Sequence, residues 1–312
     1  MALRTGVDLT FRDPAGAGRP AALDEQLALV AAVRAAGWDS VFVGQSAEDR
    51  DGAAATPLPL LSRVSAVSGD MRLVAGVRMA DLRDVVRTAE AYAVADALSG
   101  GRLVFAAALE GRAGGSRAAR DLGTIARLWA GEDAGPSRPG TEVSRLTVRP
   151  AQRPRPRVWV SADDGLPVPE AALTGDGWLT GAPATMTAAA ARTDLVRSLR
   201  AGAGLPPHTE VALIREVVCA PDRVTAVARA LDRGLAPGTG TGTAAGLDPP
   251  LAGLTRDRLV IGDPDDCLRI LRAWTERLRA TEVILRVHSP GGPFAAAMES
   301  VELLNTEVLP YL

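Results

Sequence analysis

LRDVVRTAEAYAVADALSGGRLVFAAAL, residues Leu82–Leu109, contains the repeating unit of the fold. Its first part, Leu82–Leu98, reads as a helix, and Ser99-Gly100-Gly101 closes it, because glycine takes the left-handed conformation that ends a helix without steric penalty. The run that follows, Arg102–Leu109, is apolar and short, which is the signature of a strand buried on both faces.

The same alternation continues in both directions. Upstream lie strand Leu3–Leu9, the Pro/Gly-rich loop Asp13–Pro20, helix Asp24–Ala36 ending at Gly37, strand Ser40–Gly44, helix Pro57–Ser68 and strand Arg72–Val77. Downstream come helix Arg117–Ala130, a Pro-rich irregular excursion Gly135–Arg155, and strands Arg157–Ser161 and Gly177–Thr180. Helix Met186–Leu199, strand Glu210–Ala220 and helix Asp222–Asp232 then lead to Ala236–Leu247, whose GTGTGTAAG run suits a mobile loop. The last elements are helix Asp263–Arg279, strand Glu282–Val287 and helix Phe294–Val308. Eight strands with helical returns and no polar linker predict one (β/α)8 TIM barrel in a single domain spanning 1–312. In that architecture chemistry belongs to the loops at the C-terminal ends of the strands.

Composition narrows the chemistry. The 312 residues include 35 basic and 37 acidic ones, a net charge of −2 with no charge block, which argues against general nucleic-acid or membrane-surface binding. Every basic residue is arginine; without lysine, Schiff-base chemistry, a P-loop lysine and a lysine general base all fall away. Two histidines and two cysteines are too few for the usual four-ligand His/Cys metal site, so no metal is expected. The cysteines form no CxxC, no leader-like opening is present and no run of ~18 apolar residues occurs, so the expected setting is reduced and cytoplasmic.

Several strings, in order along the chain, resemble the bacterial luciferase-like flavin-dependent monooxygenase family. They are GWDSVFVG (Gly37–Gly44), RTAEAYAVADALSGGRL (Arg87–Leu103), LWAGE (Leu128–Glu132), PRVWVSA (Pro156–Ala162), GDGWL (Gly175–Leu179), VIGDPDDC (Val260–Cys267) and EVLPYL (Glu307–Leu312). The resemblance implies a TIM barrel that binds a reduced flavin, FMN or the deazaflavin F420, at the strand C-termini. It also implies a small-molecule substrate oxygenated with O2, a separate flavin reductase and a homodimer. Two alternatives stand beside it: an F420-dependent oxidoreductase, and a catalytically silent subunit or binding protein with a degenerate flavin site.

Matching positions place the flavin ring at Ala75, Gly76 and Val77, where small residues permit close backbone approach. Ala108 at the fourth strand's end and Ser161 and Ala162 after the fifth complete the cofactor set. Where the family tends to carry a phosphate-binding arginine this chain has Leu109, so Arg112 or Arg117 of the loop GRAGGSR is the expected substitute, with Asp163 and Asp164 following the fifth strand.

The expected catalytic residues are His288, directly after the last strand, as general base, and Gln45, after the second, as a hydrogen-bonding group unable to move a proton. Asp8 reads either as a pocket carboxylate or as an arginine-paired buried acid. For Arg215-Glu216 an ion pair is expected, with the two side chains on opposite faces. Trp159 and Trp178 are expected in the core, His208 in a structural turn, and Cys267 without chemistry.

Overall fold

In the computed structural model the described residues are 2–10, 20–44, 57–109, 115–133, 145–162, 168–235, 258–288 and 292–312. The first half of the chain runs β1 (Arg4–Leu9), α1 (Pro20–Ala35), β2 (Ser40–Gly44), α2 (Pro57–Ser65), β3 (Arg72–Arg78), α3 (Val85–Leu98), β4 (Leu103–Leu109) and α4 (Gly115–Ala130). The second runs β5 (Arg157–Ala162), α5 (Val168–Leu173), β6 (Gly177–Thr180), α6 (Met186–Gly202), β7 (Glu210–Cys219), α7 (Arg223–Asp232), β8 (Val260–Gly262), α8 (Pro264–Leu278), β9 (Glu282–Arg286) and α9 (Phe294–Leu303).

Eight of these strands close a parallel (β/α)8 barrel, in the order β6-β5-β4-β3-β2-β1-β9-β7 with β6 paired to β7. The ninth, β8, lies outside that ring and pairs in parallel with the last three residues of β7, Val217 against Val260. Two elements were not anticipated from the sequence, β8 with three residues and α5 with six. Both are too short to show a hydrophobic period.

By backbone proximity the barrel's chain groups into two interleaved units. Unit 1 holds Met1–Ser40, Thr180–Ala191 and Val211–Leu312, and unit 2 holds Val41–Leu179 and Arg192–Glu210.

In unit 2 the repeating unit folds as its sequence requires. Asp84 caps α3 by accepting from the Arg87 amide, while Gly100 and Gly101 turn the chain at φ 68° and 82°. Arg102 then donates to the main-chain carbonyls of Ser65 and Ser99, at the ends of α2 and α3, and of Met71 just before β3, so one guanidinium ties two helix ends to a strand start. Phe105 packs edge-to-face on Tyr92 of α3 at 4.9 Å and on Trp129 of α4 at 5.3 Å. Odd-numbered residues of β4 thus face the helices, and Ala106 and Ala108 face the barrel interior. The irregular stretch before β5 is held by buried Asp96, which accepts from the main chain and side chain of Gln152 at 2.9 and 2.7 Å.

Interior polar layers plug the N-terminal ends of the strands, the face of a barrel that serves stability. In unit 2, Glu210 accepts from Arg72 at 2.7 Å and from the Trp159 indole at 2.8 Å. Burial pushes the Glu210 carboxyl up, but Arg72 and the Trp159 hydrogen bond outweigh it and hold it below the usual range. In unit 1, Glu282 accepts from Ser40 at 2.5 Å and from Arg4 at 3.3 Å.

Candidate functional site

The C-terminal strand ends of unit 2 carry small, partly exposed residues. Register pairs Gly76 with Ala106, Arg78 with Ala108, and Ala108 with Ser161. Gly76, Arg78, Ala108 and Ser161 all sit on the inner face, and each keeps some solvent exposure. Gly44 shares that exposure at the end of β2. A methyl group at Gly76 would come within 2.6 Å of the Phe42 ring and 2.8 Å of Gly44 Cα, so only glycine lets β3 lie this close to β2. The Phe42 ring itself lies over the inner face at Gly44 and Gly76, and the small residues of the wall that it leaves uncovered are Ala108 and Ser161.

Among the expected cofactor residues, alternation therefore separates neighbours. Gly76, Ala108 and Ser161 face inward; Ala75, Val77 and Ala162 have the opposite parity and are buried. Arg117 lies in the first turn of α4, 60% exposed, with Nε 3.4 Å from Asp121 Oδ2 one turn on. Gln45, Arg112, Asp163, Asp164 and the loop Ala236–Leu247 lie outside the described residues. Sequence reasoning missed Arg78, whose guanidinium at the end of β3 lies 3.6 Å from Asp81.

Unit 1 contributes a charged strand end. Arg215 stacks its guanidinium over the Trp274 ring at 3.4 Å and donates to the Gly181 carbonyl, which fixes its face as outward, toward α8. Glu216 consequently faces inward, beside its register partner Arg286. The two residues do take opposite faces, and Glu216 is ion-paired. Arg215 is held by an aromatic face and carbonyls, a partnership that composition alone does not reveal. Arg286 Nη1 donates to Glu216 Oε1 at 2.6 Å, and its Nε donates to Asp8 Oδ2 at 2.8 Å. Arg233, just after α7, adds a second guanidinium to Glu216 at 3.3 Å and also donates to the Val217 and Val287 carbonyls. Asp8 is thus the buried, arginine-paired acid of its two readings, at the C-terminal end of β1.

His288 follows β9, 2% exposed, with its ring edge-on to Phe294 at 5.4 Å and Nε2 3.3 Å from Glu25 Oε2 of α1. Burial pulls its pKa below the usual histidine value, partly opposed by Glu25, so the ring is neutral near pH 7. A carboxylate only accepts; the proton therefore sits on Nε2 and Nδ1 is left as the acceptor. A small, partly open pocket borders this histidine, with Val218, Arg233, Val287, Ala297 and Ser300 in its wall.

The remaining singled-out residues are structural. Burial and then Arg200 push the His208 imidazole down to about 4, leaving it a neutral partner of Arg200 in a turn. Trp159 and Trp178 are buried in the core. Cys267 lies against Cys219, and that contact together with burial pushes its thiol far up, which keeps it protonated and unreactive.

Residues 3–112 match the family model described as Luciferase-like monooxygenase. Among solved structures, monooxygenase RslO1 from Streptomyces bottropensis is 20% identical, covers 99% of both chains and superposes with a TM-score of 0.83. The oxygenating constituent of 3,6-diketocamphane monooxygenase from Pseudomonas putida, solved in complex with FMN, is 16% identical over 100% of this chain and 99% of its own, with a TM-score of 0.76. Coenzyme F420 dependent tetrahydromethanopterin reductase from Methanopyrus kandleri is 17% identical over 100% and 99%, with a TM-score of 0.75. No curated protein matches the chain. At these identities the superpositions show the barrel alone, and the match of residues 3–112 is to the luciferase-like monooxygenase family, the family that the motifs resemble.

Proposed function

We propose that the protein is a flavin-dependent monooxygenase that uses reduced FMN and O2 to oxygenate a small organic substrate. The observation that carries this reading is the inner wall of unit 2, where Gly44, Gly76, Ala108 and Ser161 present small, partly exposed residues at the strand C-termini. These residues fit an isoalloxazine ring. The ring would lie against Ala108 and the Phe42 ring that covers Gly76, and Ser161, Arg117 and Arg112 would donate to the phosphate. Bound flavin supplies the electrons and the oxygen chemistry.

The chain's own contribution is binding, water exclusion and proton handling. His288, neutral and oriented by Glu25, would accept a proton at Nδ1. Reduced flavin would come from a separate reductase, and a cytoplasmic homodimer is the assembly this reading takes with it. The match to an F420 dependent reductase favours a second reading, hydride transfer with F420 on the same wall.

Replacing Ala108 by phenylalanine tests the reading, because the larger ring extends from a partly exposed position into the space the flavin would fill. FMN affinity measured by fluorescence quenching is expected to fall by ~100-fold or more, corresponding to about 2.7 kcal/mol, with an unchanged thermal unfolding midpoint. Undiminished FMN binding in a folded Ala108→Phe variant would remove the wall of unit 2 as the flavin site.

A further inference from the structure

Asp8, Arg286 and Glu216 form one inward-facing row across β1, β9 and β7. Val7 pairs with Leu285 and Glu216 with Arg286, which places Asp8 at the level of Arg286. The row closes the C-terminal end of these three strands, where a barrel keeps its chemistry. One guanidinium therefore lies between two carboxylates, and the two are not served equally. Glu216 has both oxygens engaged, Oε1 by Arg286 and Oε2 by Arg233. Asp8 receives Arg286 through Oδ2 alone, with Nε and Nη2 at 2.8 and 2.6 Å, and among the described residues nothing bonds its Oδ1.

Of two acids that share a cation, the less well solvated takes up the proton first. Asp8 is 2% exposed and has one cation; Glu216 has two. The charged groups around the row are Arg286 from β9, Glu216 from β7 and Arg233 from the end of α7, with the His288–Glu25 pair beyond Arg233.

We propose that Asp8 is the proton-exchanging carboxyl of this catalytic end, with Arg286 and Glu216 as the residues that position it. The inference rests on the monooxygenase reading. In the step assigned to it, the Oδ1–H bond breaks, its proton passes to a basic oxygen of the substrate, and the carboxylate is reprotonated from water; no electrons move at Asp8. Burial, only partly offset by Arg286, pushes the Asp8 carboxyl up to about 6, whereas an acid kept solely for an ion pair is pulled down by its partner.

The test is a carboxyl-carbon NMR titration of the full-length protein labelled with carbon-13 at aspartate, without flavin, Asp8 being assigned by its absence in Asp8→Asn. A midpoint near 6 is expected, moving down in Glu216→Gln, which removes the like charge and leaves Arg286 to Asp8. Should Asp8→Asn fail to fold, the signal moved by Glu216→Gln makes the assignment. A signal that stays ionised down to pH 4.5, or a midpoint indifferent to Glu216→Gln, overturns the proposal. With FMNH2 supplied, the rate of O2 consumption should show a pH limb near 6 that disappears in Asp8→Asn while FMN affinity stays the same. A raised midpoint without that limb overturns the catalytic role. Absence of FMN binding is a separate result, which falls on the flavin reading.

Discussion

Asp8→Asn is expected to make the protein more stable at pH 8, by up to about 3 kcal/mol, and to change stability little at pH 4. The Asp8 carboxyl is pushed up to about 6 from 3.8 by burial, so between those values the native state holds a proton that the unfolded chain has released. A carboxyl raised in this way contributes its stability below pH 3.8 and loses it as pH rises through 6, at about 1.4 kcal/mol for each pH unit between the two. Above pH 6 the charged group is kept buried at a cost that Arg286 does not repay, in line with the general weakness of buried ion pairs as stabilisers. Asparagine is never charged and can still accept from Arg286, so the variant escapes the loss. Urea unfolding at pH 4 and pH 8 measures the difference. A variant less stable than the parent at pH 8 would mean that the Asp8–Arg286 pair holds the fold together.

Flavin affinity should fall about thirty- to a hundred-and-fifty-fold when Arg112 and Arg117 are both replaced by alanine, equivalent to about 2–3 kcal/mol, the range for a charge-assisted hydrogen bond to phosphate. β4 ends on Leu109, and the chain has no lysine to take an anion. Arg117 occupies the first turn of α4, where helix amides favour an anion, and its link to Asp121 is exposed and therefore weak. A phosphate dianion would draw Arg117 away at little cost. Riboflavin, which lacks the phosphate, should bind parent and double variant alike. Equal FMN affinity in the two proteins would place the phosphate elsewhere.

Much of the barrel was legible because its strands are short apolar runs between segments of helical period. Gly100 and Gly101, for example, mark the boundary between α3 and β4. β8 was not legible, since three residues pairing with the end of β7 carry no period. For the site, sequence located strand ends but not faces. Ala75, Gly76 and Val77 are consecutive, and only register assigns the inner face to Gly76. Asp8 and Arg286 are 278 positions apart, and Glu25 lies 263 positions from His288. Such pairs exist only once the barrel closes and sets the register of β1 against β9. Arg78 was overlooked because nothing in a strand sequence says where inward exposure begins.

Anaerobic titration of the purified protein with FMNH2 and, separately, with reduced F420 decides whether this barrel is a flavin enzyme. Micromolar binding of FMNH2, about 8 kcal/mol, and much weaker binding of reduced F420 are expected. The reverse order would make the protein an F420-dependent oxidoreductase, and no binding of either at ~100 μM, about 5.5 kcal/mol, would contradict a flavin enzyme altogether.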